Sequence, residues 1–323
     1  MAYTDIDKPS DYFNTVLYTG NGGTQSITGV GFAPNLVWGK SRSITEGNAV
    51  TDTVRGVRKN LLTNSSAAEE DIASITAFGS DGFTLGNNAH LNANNSSMVA
   101  WNWKKTADAG FDIVSYTGNG SGRTISHSLS AVPNFMILKN RDANGRNWPV
   151  YFGDQTKYMY LSSTDAQANA GTIIWNNTAP TSSVFSVGND NGVNQNGEKY
   201  IAYLFAEKQG YSKFGSYVGN GNVDGTFIWT GQKSAFIMIK ATSGTENWRI
   251  YDNRRNGFNV DNEQLFANTA AAEASDADLD ILSNGFKCRR NSGGFNNSGT
   301  TYIFMAFAKQ PLVTSTGVPA TAK

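Results

Sequence analysis

One cysteine in 323 residues, Cys288, excludes an intrachain disulfide framework and a zinc site built on paired thiolates. The two histidines, His90 and His127, stand far apart in the sequence and leave little material for an imidazole metal site or a Ser-His-Asp arrangement. No apolar run approaches the ~18–20 residues of a membrane helix. The opening stretch, Met1 to Ser10, lacks the basic and apolar regions of a signal peptide, so the expectation is folding in a cytoplasm without membrane insertion. Charge is also scarce, at 16% of residues against the roughly 25% usual in soluble domains. The 26 Lys and Arg offset the 26 Asp and Glu, which removes the basic footprint of a nucleic-acid binder.

What stands in place of charge is glycine (34 residues), Asn, Ser and Thr, with aromatics at 12%. This composition suits short strands joined by many turns. It also repeats. Tyr18-Thr-Gly-Asn-Gly22 returns as Tyr116-Thr-Gly-Asn-Gly120 and Tyr217-Val-Gly-Asn-Gly221. Pro34-Asn-Leu-Val-Trp-Gly-Lys40 corresponds to Pro133–Lys139 and Ser234–Lys240. Asp81-Gly-Phe corresponds to Ser183-Val-Phe and Asn284-Gly-Phe, and Met98–Lys104 to Tyr200–Ala206 and Tyr302–Ala308. Copies two and three share Asn147-Trp148…Tyr151 and Asn247-Trp248…Tyr251, where copy one reads Thr51-Asp-Thr-Val-Arg-Gly56.

A period of roughly 100 residues is too long for a solenoid, whose repeats run about 20–50 residues, so each copy should hold its own core. The segments ending at Lys40, Lys139 and Lys240 read as strands covered on both faces. Tyr-x-Gly-Asn-Gly reads as a hairpin turn. Ser66 and Glu69 fit a capping box, which predicts one short helix per copy near Ser65–Glu70, Ser163–Gln167 and Thr269–Glu273. The fold class is therefore all-β, with three tandem β-sandwich domains of jelly-roll or lectin-like type and at most one short helix each. The expected boundaries are an N-terminal arm (1–12), repeats at 13–108, 109–209 and 210–310, and a tail (311–323). Arm and tail look suited to lying along a neighbouring chain. The near-absence of linkers predicts a rigid unit.

Little in the chain resembles catalytic chemistry, and the expectation is a non-enzyme with no catalytic, metal or cofactor-binding residues. Cys288 sits in an apparent strand, where a buried inert thiol is the expected state. Glycoside hydrolysis needs two carboxylates facing one sugar; Asp52, Asp154 and Asp252 lie in roughly equivalent central regions, but acids are thin in the predicted strands. Gly20-Asn-Gly-Gly23 lacks the Lys-Ser/Thr and helix of a phosphate loop. The run Asn189–Glu198 is dense enough in oxygen ligands for calcium without keeping the spacing of the standard calcium loop. Trp148 with Asn147, and Trp248 with Asn247, are the candidate glycan-binding residues, an aromatic face beside an amide being a common way to hold a sugar. The competing reading places both tryptophans, with the Trp101 and Trp103 pair, in the core.

Taken together, Tyr-Thr-Gly-Asn-Gly, the apolar strand opened by Pro-Asn and closed by Lys, Asn-Trp…Tyr, Gly-Phe and the aromatic closing strand resemble a domain of structural proteins of marine tailed phages, cyanophages among them. Those proteins are commonly called tail-fibre-like or virion structural proteins. The resemblance covers residues 11–310. It implies a β-sandwich displayed on the virion after synthesis in the host cytoplasm, and transfers no catalytic residue. The function expected from it is a receptor-binding adhesin for host surface glycan. Capsid decoration or a head fibre with an assembly role is the alternative, and a glycan depolymerase the second. The expected partners are other virion proteins, cell-surface polysaccharide and like chains, a trimer being the guess from phage fibres, with no nucleic acid.

Overall fold

The computed structural model describes residues 4–255 and 259–320. Almost all regular structure is antiparallel strand. The chain lays down the same sheet three times. The first six-stranded sheet runs, in spatial order, Phe13–Thr19, Ser97–Trp103, Leu36–Ser41, Ala49–Asp52, Lys59–Leu62 and Glu70–Asp71. The second runs Phe111–Thr117, Lys199–Phe205, Phe135–Asn140, Pro149–Tyr151, Lys157–Tyr160 and Ala168–Asn169. The third begins likewise with Ser212–Val218, Thr301–Pro311, Gln232–Ala241, Arg249–Asp252 and Asp261–Phe266, and continues into Ala274–Leu282, Gly285–Cys288 and Phe227–Trp229. Small second layers pair Gln25–Ile27 with Gly82–Leu85 and Ile75–Gly79, and Arg123–Ser126 with Val184–Val187.

Strand alternation then assigns each side chain to one of two cores. Leu36 and Trp38 face a core shared by all three stretches, while Val37 between them faces a local core under the first small sheet. Phe135 and Ile137 divide from Met136 and Leu138 in the same way, as do Phe236 and Met238 from Ile237 and Ile239. The strands Leu36–Ser41 and Phe135–Asn140 are accordingly buried along their whole length, as the unbroken apolar pattern before Lys40 and Lys139 predicts. Each copy does have its own core. It also contributes a second face to a common one, which a repeat read along the sequence does not reveal.

The common core closes on itself. Trp103, Phe205 and Phe307 hold equivalent places on the closing strands, and their rings meet pairwise at 6.4, 5.8 and 5.6 Å. Phe13 and Phe236 pack against this trio, and both Trp101 and Trp103 lie 5.7 Å from Phe236. The three stretches therefore stand around an axis as a ring.

Two expectations fail on this geometry. The segments 65–69 and 163–167 are not helical but cross onto the neighbouring stretch, and 269–273 does the same before entering the strand Ala274–Leu282. Glu69, Gln167 and Glu273 each donate their backbone N–H to a carbonyl of the next stretch, of Arg141, Thr242 and Arg42 respectively. That bond replaces the helical one, and the short helix lies instead at Ala89–Asn92, capped by Asn88. The described residues of the arm and tail, 4–12 and 311–320, lie on their own chain. Ile6 enters the shared core, Thr4 Oγ1 donates to Gln209 O at 2.8 Å, and Leu312 N donates to Gly231 O at 3.3 Å.

Candidate functional site

The repeated motif residues are absorbed by structure. In Tyr-x-Gly-Asn-Gly the tyrosine hydroxyls of Tyr18, Tyr116 and Tyr217 donate to the carbonyls of Leu91, Val193 and Phe295. The residue after each carbonyl is a buried asparagine, Asn92, Asn194 or Asn296, whose side-chain oxygen takes the backbone N–H of Asn21, Asn119 or Asn220. A Cβ on Gly20, Gly118 or Gly219 would meet a backbone oxygen at 2.2, 2.0 or 2.4 Å, so only glycine admits the contact. The turn does not close a hairpin. The strands on either side of it belong to different sheets in copies one and two, and to opposite edges of the eight-stranded sheet in copy three.

The run Asn189–Glu198 belongs to the same lock. Asn194 Nδ2 donates to Asn119 Oδ1, Ser121 O and Gly188 O, and Asp190 Oδ1 caps Gly192 N at 2.7 Å. Among the described residues there is no group of three or more His, Cys, Asp or Glu side chains placed to hold a metal ion.

Trp148 and Trp248, the tryptophans picked out by sequence, are 0% and 1% exposed and offer no face to a sugar. Their indole N–H groups tie neighbouring stretches together. Trp148 Nε1 donates to Leu62 O and Ser65 O, and Trp248 Nε1 to Tyr160 O at 2.9 Å. Copy one does the same with an amide, since Asn48 Nδ2 donates to Phe266 O and Ala267 O, both at 2.8 Å. Asn147 and Asn247 accept from Ser162 and Asn268 within their own stretches.

Three buried lysines repeat this ring of contacts. Lys40 Nζ donates to Thr269 O, Lys139 Nζ to Ser66 O and Lys240 Nζ to Thr164 O. Burial pulls their ammonium groups down to about 8, 7 and 8 respectively, with Arg146 adding to the fall at Lys139.

The acids considered for hydrolysis separate. Asp52 and Asp252 are equivalent and fully buried, each paired with an arginine three residues on, at 2.5 Å to Arg55 and 2.6 Å to Arg255. Burial works against ionisation of Asp252, and the Arg255 guanidinium more than offsets it. The equivalent position in copy two is Phe152, and Asp154 lies in the turn beyond it with Oδ1 accepting from Thr156. His90 Nδ1 sits 2.7 Å from Glu46 Oε2, and His127 Nε2 is 3.2 Å from Thr181 O. Cys288 is fully buried, and burial pushes its thiol up to about 12, a poor nucleophile at neutral pH.

The exposed aromatic surface lies where sequence reading did not place it. On the strand Phe227–Trp229, Ile228 is buried while Phe227 and Trp229 are 44% and 53% exposed. The register fixes the comparison: Ile228 pairs Phe286 as Ile27 pairs Phe83 and Ile125 pairs Phe185. The outward neighbours are Ser26 and Thr28 in copy one and Thr124 and Ser126 in copy two, all exposed. Copy three alone carries two large aromatics on this face. Trp229 borders a cleft of ≈ 380 Å³ whose other walls include Glu207, Gln209, Lys213 and Thr230. Gly231, with φ +71°, turns the chain beneath the indole. The sequence signal for this face is the break in the repeat at Phe227 and Trp229, where the other copies carry Ser or Thr.

A comparison with curated proteins gives no match. The sequence pattern of one family matches residues 8–311, nearly the whole chain, and the chain belongs to that family, described as Domain of unknown function (DUF7483).

Proposed function

We propose that this chain is a non-enzymatic virion surface protein of a tailed phage, three tandem copies of one sandwich, that binds host surface glycan at the Trp229 cleft. The observation that carries the binding half is the half-exposed indole beside amide, hydroxyl and charged groups, at a position where the other two copies keep Ser or Thr. An indole face stacks on the apolar face of a sugar ring, while the exposed Gln209 amide supplies hydrogen bonds to its hydroxyls. The virion half draws on the motif resemblance, and other virion proteins, further like chains and residence on the particle belong to the same proposal. Trp229→Ala should lower affinity for an array-identified oligosaccharide at least tenfold without lowering the unfolding temperature. Unchanged affinity would move the site elsewhere, and released reducing sugar would overturn the non-enzymatic reading.

A second reading, a capsid decoration or head-fibre role, is favoured by the apolar side chains exposed together on copy three. Val218 and Val223 are 54% and 71% exposed near Phe227 and Trp229 in the sequence, and exposed apolar side chains also suit docking on another protein. Immunogold labelling of particles separates the two: label confined to heads supports decoration, and label on tails supports the adhesin.

A further inference from the structure

The ring has three junctions, and one of them is built differently. Where copy three meets copy one, Arg42 donates to Glu273, which also pairs Arg255, itself bound to Asp252. Where copy one meets copy two, Arg141 donates to Glu69, which pairs Arg55, itself bound to Asp52. The side chains of Arg55 and Arg255 are 0% exposed, and Glu69 and Glu273 only 11% and 13%, so both junctions are filled. Where copy two meets copy three, every member has changed. Phe152 stands for the aspartate, Gln167 for the glutamate and Thr242 for the interface arginine. The turn that supplies the buried arginine elsewhere is shorter here, Phe152–Lys157 against Asp52–Lys59, and contains none.

The backbone has not moved away with the side chains. Gln167 N still donates to Thr242 O at 2.9 Å, as Glu69 and Glu273 donate to Arg141 and Arg42. The lost side chains leave a groove of ≈ 340 Å³ bordered by Phe152, Asp154, Gln167, Ser216, Thr242 and Thr301. A second hollow of ≈ 190 Å³ shares Phe152, Gly153, Gly215 and Ile303 with it. Gly215 leaves one wall as bare backbone. Its strand partner Phe304 takes up the missing volume on the opposite face, where copies one and two pair Val16 with Ala100 and Val114 with Ala202.

We infer that this junction is a ligand site for a neutral oligosaccharide, separate from the Trp229 cleft, with Phe152 as the stacking ring and Gln167, Ser216 and Thr301 as hydrogen-bonding groups. The sugar class rests on the glycan-binding reading above. The site itself rests on the coordinated loss of one charged network out of three. The chemistry is that of a polyol site: an aromatic ring half-buried at the margin of the shared core, an exposed amide and exposed hydroxyls. Asp154 at the rim disfavours phosphate and uronic acids and adds an acceptor for sugar hydroxyls.

Thr242→Arg with Gln167→Glu installs here the pair that fills the other junctions, so it should close the groove without lowering the unfolding temperature. Wild-type protein, Trp229→Ala, this double variant and their combination are compared on a printed array of neutral and acidic oligosaccharides, with titration calorimetry on the strongest neutral hit. The expected result is residual neutral-sugar binding in Trp229→Ala that falls at least tenfold in the combination. Phe152→Leu, which keeps apolar volume and loses the ring, should weaken the same binding and serves if the double variant does not fold. Residual binding that survives both variants, or no residual binding in Trp229→Ala, overturns the groove and leaves the Trp229 reading standing. Full binding in Trp229→Ala that the double variant abolishes supports the groove and overturns the Trp229 reading. Binding of acidic sugars alone overturns the proposed class, and no binding by wild-type protein overturns both readings.

Discussion

The carboxylate of Asp52, in the first stretch, accepts the Tyr203 hydroxyl of the second at 2.8 Å, in a place neither side chain shares with solvent. Its counterpart Asp252, in the third, accepts the Trp101 indole N–H of the first at 3.0 Å. Two repeats thus use an equivalent aspartate to grip whichever polar hydrogen the next closing strand offers.

The grip is a buried ion pair with a neutral donor attached, so its parts should differ in cost. Asp252→Ala leaves Arg255 desolvated with Glu273 as its remaining partner charge, and should cost about 3–5 kcal/mol. Tyr203→Phe removes one hydrogen bond to a carboxylate that keeps Arg55 and two backbone donors, and should cost about 1.5–3 kcal/mol. Urea unfolding of both variants checks the order; equal losses would mean that Arg55 does not hold Asp52 without the tyrosine.

Burial of the three locking asparagines makes a second expectation. Asn194→Ala leaves Asn119 N without its side-chain acceptor and the carbonyls of Ser121 and Gly188 without a donor, in a turn whose glycines allow no repacking. A loss of about 1–3 kcal/mol should follow, with hydrogen exchange rising first at residues 118–121. Exchange unchanged at that turn would show that the lock is held by Tyr116 alone.

Much of this was legible in the sequence, and the parts that were not share a cause. Alternation and turn chemistry are local, so the strands that carry Lys40 and Lys139 and the all-β class could be read from pattern. The shared core could not, because Trp103, Phe205 and Phe307 are each only the last aromatic of a strand until the ring brings them together. The same holds for Ser66–Glu69. Its capping-box pattern is genuine local preference, overridden when Glu69 pairs Arg55 of its own stretch and Arg141 across the junction. Trp148 and Trp248 looked like sugar platforms because both sit beside asparagine, and a sequence does not show which side of a ring faces water. Trp229 and Phe152 differ from their counterparts in the other copies, and that difference was visible but carried no weight without the register.

A shared core also means that no copy can keep its native burial alone. Residues 109–209 expressed by themselves would expose Phe111, Trp148, Tyr203 and Phe205, all 3% exposed or less in the ring. Such a surface should drive self-association or aggregation. Size-exclusion chromatography with light scattering checks this. A well-dispersed monomer with sharp near-ultraviolet dichroism would show that the local core under Arg123–Ser126 suffices.

The buried lysines set a pH dependence whose sign is fixed by their depressed folded-state values. An unfolded lysine keeps its proton up to the ordinary value of 10.5, whereas burial brings Lys139 down to about 7 and Lys40 and Lys240 to about 8. Between those limits the unfolded chain binds more protons than the folded one, so stability rises with pH from about 7 towards 10. Buried tyrosines reverse the trend. Burial holds the phenols of Tyr203, Tyr217 and Tyr251 well above their ordinary 10.0, so above pH 10 the unfolded chain releases protons that the folded chain retains. The unfolding temperature should therefore climb between pH 7 and 9 and fall beyond pH 10. Lys139→Met should flatten the climb more than a like change at Lys40 or Lys240, since Lys139 is displaced furthest and has Arg146 beside it. Calorimetric scans across that range decide the matter: a flat or falling profile from pH 7 to 9 in the wild-type chain would mean that the carbonyls of Ser66, Thr164 and Thr269 keep these ammonium groups charged.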